Sequence, residues 1–271
     1  MNEELVHQQR FQRSPSKGGG RSVKRILLLV LAVVLACYAG LWVFIEFKVF
    51  KVRHMLMDLE TLKPYGSSFD DAVRIGRKYG ADKPTAEAPC TREKCSLALR
   101  ITWCDPQWIP TTHIDNRLFN RFGIHFWTAV GWIEVQQNQV TSYGASIAVE
   151  GPDPQHLWHE ASWETFQEIP PVNPSDQKEF RRNFDPKYDR SPEFLVNWTN
   201  SHIADREEWL YARTSIRATD AQRRAAQDFN LKCLTKWGNC SSVCELLPEA
   251  TRYYNRSLGV GEPPFPHPNC D

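Results

Sequence analysis

Trp132–Val149, WIEVQQNQVTSYGASIAV, decides what kind of fold this chain builds. Trp132–Gln137 reads as a strand, Gln137-Asn138-Gln139 as a hairpin turn, and Val140–Val149 as the returning strand. Upstream, Phe122–Val130 reads as a further strand, with Gly131 marking a bulge before Trp132. Further back, Ser96–Trp103 (SLALRITW) sets Leu97, Leu99, Ile101 and Trp103 on one face and Ala98, Arg100 and Thr102 on the other. Consecutive strands joined by short turns make a meander, so the expected sheet is antiparallel, with about four to five strands.

Helices flank this sheet on both sides in sequence. Val49, Val52, Leu56, Leu59 and Leu62 recur at helical spacing, and Lys63-Pro64-Tyr65-Gly66 breaks the pattern. Ser67-Ser68-Phe69-Asp70-Asp71 then starts a second helix, with a hydroxyl cap and a carboxylate three residues on. Ala72, Val73, Ile75 and Tyr79 supply its buried face, and Gly80 suits its C-terminal cap. After Glu208–Arg217, another strand-like stretch, Thr219-Asp220 starts a helix expected to run through Cys233. The expected class is α+β: a helical hairpin, an antiparallel sheet and a C-terminal helix, tied by disulfides.

Gly151 to Ser201 is different in composition. It holds Pro152, Pro154, Pro170, Pro171, Pro174, Pro186 and Pro192, and reads as one long loop, functional or inserted.

Ahead of all this lies Ile26–Ile45, ILLLVLAVVLACYAGLWVFI, without a charged residue. At ~1.5 Å per residue it matches the ~30 Å hydrocarbon core of a bilayer. Six Lys and Arg precede it (Arg10, Arg13, Lys17, Arg21, Lys24, Arg25), against four soon after (Lys48, Lys51, Arg53, Lys63). The bias favours a cytoplasmic N-terminus. Three fates remain open: a retained anchor, cleavage near Ala36 or Ala39, or acylation at Cys37, since Val34-Leu35-Ala36-Cys37 loosely follows a lipoprotein signal. The apolar run continues past each cleavage point to Ile45, which favours the anchor. The expected organisation is a disordered basic tail over residues 1–25, a spanning helix over 26–45 and one extracytoplasmic domain over 46–271.

Beyond residue 25 the chain carries 27 basic and 30 acidic side chains, which gives no electrostatic reason to expect nucleic acid as a partner. Seven of the eight cysteines follow the apolar run, as suits an oxidising compartment. Cys90–Cys95 and Cys233–Cys240 each close a short polar loop and are the expected bridges. Cys104, Cys244 and Cys270 compete for one more. The CxxxxC and CxxxC spacings, with no nearby His pair, do not make a zinc knuckle, and no cofactor is expected.

Candidate chemistry is sparse. His156-Leu157-Trp158-His159-Glu160 places two imidazoles three apart beside a carboxylate, the weak metal candidate of the chain. It is neither HExxH nor HxxEH, and its histidines read as solvated loop residues. His113, Asp115 and His125 flank the second strand. Asp70–Asp71 and Glu207–Glu208 are carboxylate pairs, the first explained by capping. Trp108, Trp158, Trp163 and Trp198 fall in expected loops, where tryptophan more often packs than recognises. No catalytic motif is complete, so whether the chain is an enzyme stays open and leans towards not.

The segment LMDLETLKPYGSSFDDAVRIGRKYG, with Cys90-x4-Cys95, and the segment NLKCLTKWGNCSSVCELLPEA resemble uncharacterised single-pass membrane-anchored bacterial proteins with a cysteine-bearing extracytoplasmic domain. The first segment also resembles, locally, the helical hairpin of small outer-membrane assembly lipoproteins. The former resemblance implies topology and disulfides, and no activity. The leading expectation is a non-catalytic envelope module that binds a protein or glycan at the membrane. The alternative is an extracytoplasmic hydrolase with its site under 151–201.

Overall fold

The computed structural model describes residues 19–81, 90–103, 125–150, 158–167, 193–200, 207–235 and 240–257. By internal contacts the chain divides into two units, Met1–Phe44 and Ile45–Asp271.

Helix α1 (Gly19–Glu60) is the longest element. Its apolar side chains in the first unit, including Ile26 to Val30, Val33 to Leu35, Val43 and Phe44, are exposed. One helix among the described residues is therefore long and apolar enough to cross a membrane, a test that a signal sequence also passes. None of its most apolar window is buried within the protein, which sets it apart from a soluble core helix. From Ile45 onward the pattern changes: Ile45, Val49, Val52, Met55, Leu56 and Leu59 are buried, while Phe47, Phe50 and Met57 stay exposed. That is the stripe of a helix seated on a core.

Helix α2 (Phe69–Tyr79) begins as the sequence dictates. The Ser68 hydroxyl accepts from the Asp71 amide and the Asp71 carboxylate accepts from the Ser68 amide, closing a capping box. Gly80 ends it in the left-handed region at φ 65°. The link between α1 and α2 is pinned to the sheet: Tyr65 N donates to Val140 O at 2.7 Å and Val140 N to Ser67 O at 2.9 Å.

Among the described residues six strands form one sheet: β1 (Lys94–Thr102), β2 (Trp127–Gln136), β3 (Gln139–Glu150), β4 (Trp158–Phe166), β5 (Phe194–Asn200) and β6 (Glu207–Ser215), in the order β1-β2-β3-β4-β6-β5. The meander β1–β4 is antiparallel throughout. The expected purely antiparallel sheet of four to five strands is corrected here, because β6 runs parallel to β4. The reason is topological: β5 takes the edge, antiparallel to β6, and β6 inserts between β5 and β4.

Three further expectations change. The stretch 151–201 is not one loop, since β4 and β5 lie in it. Gly131 is not a bulge; the register shift falls at Glu134/Val135. Gly131 instead makes room for α1, because a Cβ there would sit 2.9 Å from Leu59 Cδ1. Third, helix α3 (Asp220–Gln227) stops well short of Cys233, which lies in the 3₁₀ turn Leu231–Thr235. The hairpin turn is as expected, with Gln137 and Asn138 both at positive φ (50° and 64°) in a two-residue loop between β2 and β3.

Short helices α4 (Val243–Leu246) and α5 (Pro248–Ser257) complete the fold. Disulfides join Cys90 to Cys95 and Cys233 to Cys240. Cys244 is also disulfide-bonded, to a partner outside the described residues. Cys104 and Cys270, its sequence competitors, both lie there.

The core fills one side of the sheet. Leu97, Leu99, Ile101, Ala129, Ile133, Ile147, Ala161, Trp163, Leu210 and Ala212 point into it, and α1 and α2 pack on them. Tyr143 meets Trp163 edge-on at 5.6 Å, and Phe194 of β5 meets Tyr253 of α5 at 4.3 Å.

Candidate functional site

Strand alternation sends every second residue to the face opposite the helices. Register then aligns Trp132, Gly144, Glu164 and Arg213 in one row across β2, β3, β4 and β6. The next row carries Ser146, Ser162 and Tyr211, and the one beyond it Ala148, Glu160 and Trp209. Phe166 lies on the other side of the first row, opposite Ser215.

Glu164 is the hub of this face. Its Oε1 accepts from the Trp132 indole at 3.4 Å and its Oε2 accepts from the Tyr211 hydroxyl. The indole reaches Glu164 only by crossing Gly144, where a Cβ would lie 2.5 Å from Trp132 Cζ2 and would press on the Trp163 carbonyl oxygen. Burial, reinforced by the Glu164 charge, pushes the Tyr211 hydroxyl well above its ordinary range, so it is a fixed donor and not a base. Arg213 lies over the rings of Tyr211 at 4.7 Å and Phe166 at 5.8 Å. Beside them the Ser146 hydroxyl donates to Glu160. Trp209 is 46% exposed. The result is a preorganised array of aromatic rings, carboxylates and one stacked guanidinium, half-buried except at Trp209.

Two open clefts lie among the described residues. One lies between α3 and α5, lined by Thr219, Gln222, Asp228, Glu249 and Tyr253. Another runs beside Phe166, with Tyr65, Glu134 and Thr141. Neither brings a nucleophile to a base.

The sequence candidates are distributed as follows. His159 is buried, at 2% exposure, on the helix-covered face at the start of β4, so it is not a solvated loop residue. Glu160, next to it on the strand, faces the opposite side and holds Ser146. His156 lies outside the described residues, as do His113, Asp115 and Trp108. No group of three or more metal-ligating side chains occurs among the described residues. His125 is buried before β2, and desolvation lowers its basicity. Asp71 is used in its capping box and Asp70 pairs with Arg92 at 3.1 Å. Glu207 and Glu208 are consecutive on β6, paired in register with Trp158 and His159 of β4. Trp163, expected in a loop, is fully buried at the centre of the sheet, and Trp158 and Trp198 are strand residues of β4 and β5.

The sequence reading missed Trp132, Glu164, Tyr211 and Arg213 as a group. A signal was present in β4, where Ala161, Trp163 and Thr165 alternate with Glu160, Ser162 and Glu164. The meeting of the four depends on β6 inserting beside β4, which no local pattern encodes. Comparison with family models, curated proteins and solved structures finds no match for the chain.

Proposed function

We propose that this chain is a membrane-anchored extracytoplasmic binding module, without catalytic function, that recognises a protein partner through the sheet face opposite its helices. The observation that carries the reading is the composition of that face. Trp132, Trp209, Tyr211, Phe166 and Arg213 are gathered on one face, with Trp132 and Tyr211 fixed through Glu164 and Arg213 stacked on Tyr211 and Phe166. Tyr, Trp and Arg are the residues that dominate protein–protein binding energy, and small ligands favour deep pockets instead. A sheet face held only for solubility would carry scattered polar side chains and leave such rings out.

Three features support the location. The disulfides suit an oxidising space. The basic flank before Ile26 favours an N-terminus in the cytoplasm. Val43, Phe44, Phe47 and Phe50 remain exposed beyond any cleavage point near Cys37 or Ala39, so a processed chain would carry bare apolar surface into water. A retained anchor buries the start of it.

Photo-crosslinking from native membranes tests the binding reading. A photoreactive residue at Trp209, Phe166 or Arg213 is expected to capture the same protein, and one at Arg74 on α2 is not. Capture that survives Trp209→Ala with Arg213→Ala, or adducts that are glycan alone, would refute a protein-binding face. Orientation has a separate test: an impermeant maleimide should reach Tyr65→Cys, and not Ser16→Cys, while the cytoplasmic membrane is intact.

A further inference from the structure

Helix α1 carries two seams in the domain, and only one is used by the fold. Val49, Val52, Met55, Leu56 and Leu59 enter the core, whereas Phe47, Phe50 and Met57 on the outward side are 51%, 53% and 53% exposed. With half-buried His54 the outward residues fall at 47, 50, 54 and 57, alternating steps of three and four. That is the a/d spacing of a two-stranded coiled coil, with Phe47 and His54 at a and Phe50 and Met57 at d. Phe50 and His54 are already stacked edge-on at 4.3 Å. The positions the core uses are then b, c and f, so the helix serves both seams without conflict.

The flanking charges say what covers the outward seam. Glu46 and Arg53 occupy g, Lys51 and Asp58 occupy e. In a parallel pair each g residue faces the e residue five positions on in the other helix. A second copy would therefore set Glu46 against Lys51 and Arg53 against Asp58, unlike charges at both places and, by two-fold symmetry, twice over. Asp58 already accepts from Lys78 at 2.7 Å and Tyr79 at 2.5 Å, and both bonds fall on Oδ2. Counted back through the sequence, the same repeat falls on Val43, Gly40, Ala36 and Val33, and Gly40 and Ala36 are small residues of the kind that let helices approach closely in a bilayer.

We propose that a second copy of this chain covers the stripe, in a parallel pairing of α1 through Phe47, Phe50, His54 and Met57. The pairing rests on the anchor reading above in one respect: two copies anchored the same way present their helices parallel and at high effective concentration, which a seam this short needs.

Oxidative crosslinking of the full chain in native membranes, in a Cys37→Ser background, tests this. Phe50→Cys and Met57→Cys are expected to give disulfide dimers several-fold above Arg74→Cys. Glu46→Lys should weaken the Phe50→Cys dimer, and adding Lys51→Glu should restore it. Equal dimer from Arg74→Cys, or no restoration by the second reversal, would overturn the proposal. Carbonate extraction of the same membranes separates the two readings. Chain in the pellet without Phe50→Cys dimer sinks the pairing alone; chain in the supernatant sinks the anchor, and the crosslinking lanes still decide the pairing.

Discussion

Replacing Gly144 by alanine should damage the open face more than any other single methyl group placed in the sheet. The added Cβ would lie 2.5 Å from Trp132 Cζ2 and 2.8 Å from Cε2, and would press on the carbonyl oxygen of Trp163. Carbon atoms in contact sit about 3.5–4.0 Å apart, so the indole must retreat by about 1 Å. The Trp163 carbonyl belongs to the backbone of β4 and has no such freedom. Overpacking of this kind costs roughly 1–3 kcal/mol, and a backbone obstacle puts the cost at the upper end. Moving the indole also breaks its bond to Glu164, worth about 1 kcal/mol. The expected loss is about 3–4 kcal/mol.

Urea unfolding of the full chain in detergent, followed by far-ultraviolet circular dichroism, reads this as a lower midpoint at unchanged slope. Gly131→Ala is the calibrating variant. Its Cβ meets Leu59 Cδ1 at 2.9 Å, the free end of a flexible side chain, and should cost only about 1–2 kcal/mol. A Gly144→Ala protein within about 1 kcal/mol of wild type, or no worse than Gly131→Ala, would show that Trp132 does not lie across Gly144. The hub at Glu164 would fall with it.

Other perturbations have equally definite outcomes. Ser68→Ala removes the hydroxyl half of the α2 capping box and should cost about 1 kcal/mol in the same urea assay. Replacing both Cys233 and Cys240 by serine opens that bridge alone, at a sequence separation of 7, and should cost about 2.5 kcal/mol in the urea assay by the loop-closure relation. Burial alone would raise the Asp58 carboxyl, but the hydrogen bonds from Lys78 and Tyr79 and the Lys78 charge outweigh it and hold it below 3.8. Its stabilisation is therefore complete above about pH 3.8 and fades as pH falls through the lower folded value. Asp58→Asn should accordingly lose up to about 1 kcal/mol near neutrality, and the gap to wild type should close in acid; a gap that persisted there would refute the carboxylate's role.

How legible this fold was depends on how local each decision is. The capping box at Ser68, the left-handed Gly80 and the turn at Gln137-Asn138 are decided within a few residues, and all three could be read directly. The two short disulfides are local in the same sense. β4 was legible in principle but hidden by its neighbourhood: a reading averaged over 151–201 sees prolines before it sees the alternation of Ala161, Trp163 and Thr165. Its pairing with β6 is a different case. Trp158–Phe166 and Glu207–Ser215 are far apart in sequence and parallel, and nothing in either strand states that the other lies beside it. The candidate site inherits that obscurity, since Glu164 meets Tyr211 and Arg213 only through this register.

Gly131 and Gly144 show why the two faces of the sheet have to be argued separately. Both are glycines in the meander, and both would be read from sequence as weak points in a strand. Gly131 faces α1 and admits Leu59 and Met55, so it serves the packing of the domain. Gly144 faces the other way and admits the Trp132 indole, a contact that adds nothing to the helix-covered core. A substitution at Gly131 can be absorbed by side chains that slide, whereas one at Gly144 meets backbone. The less forgiving position therefore guards the face with no core to protect, and holding Trp132, Glu164 and Tyr211 in one arrangement is the work left for that face to do.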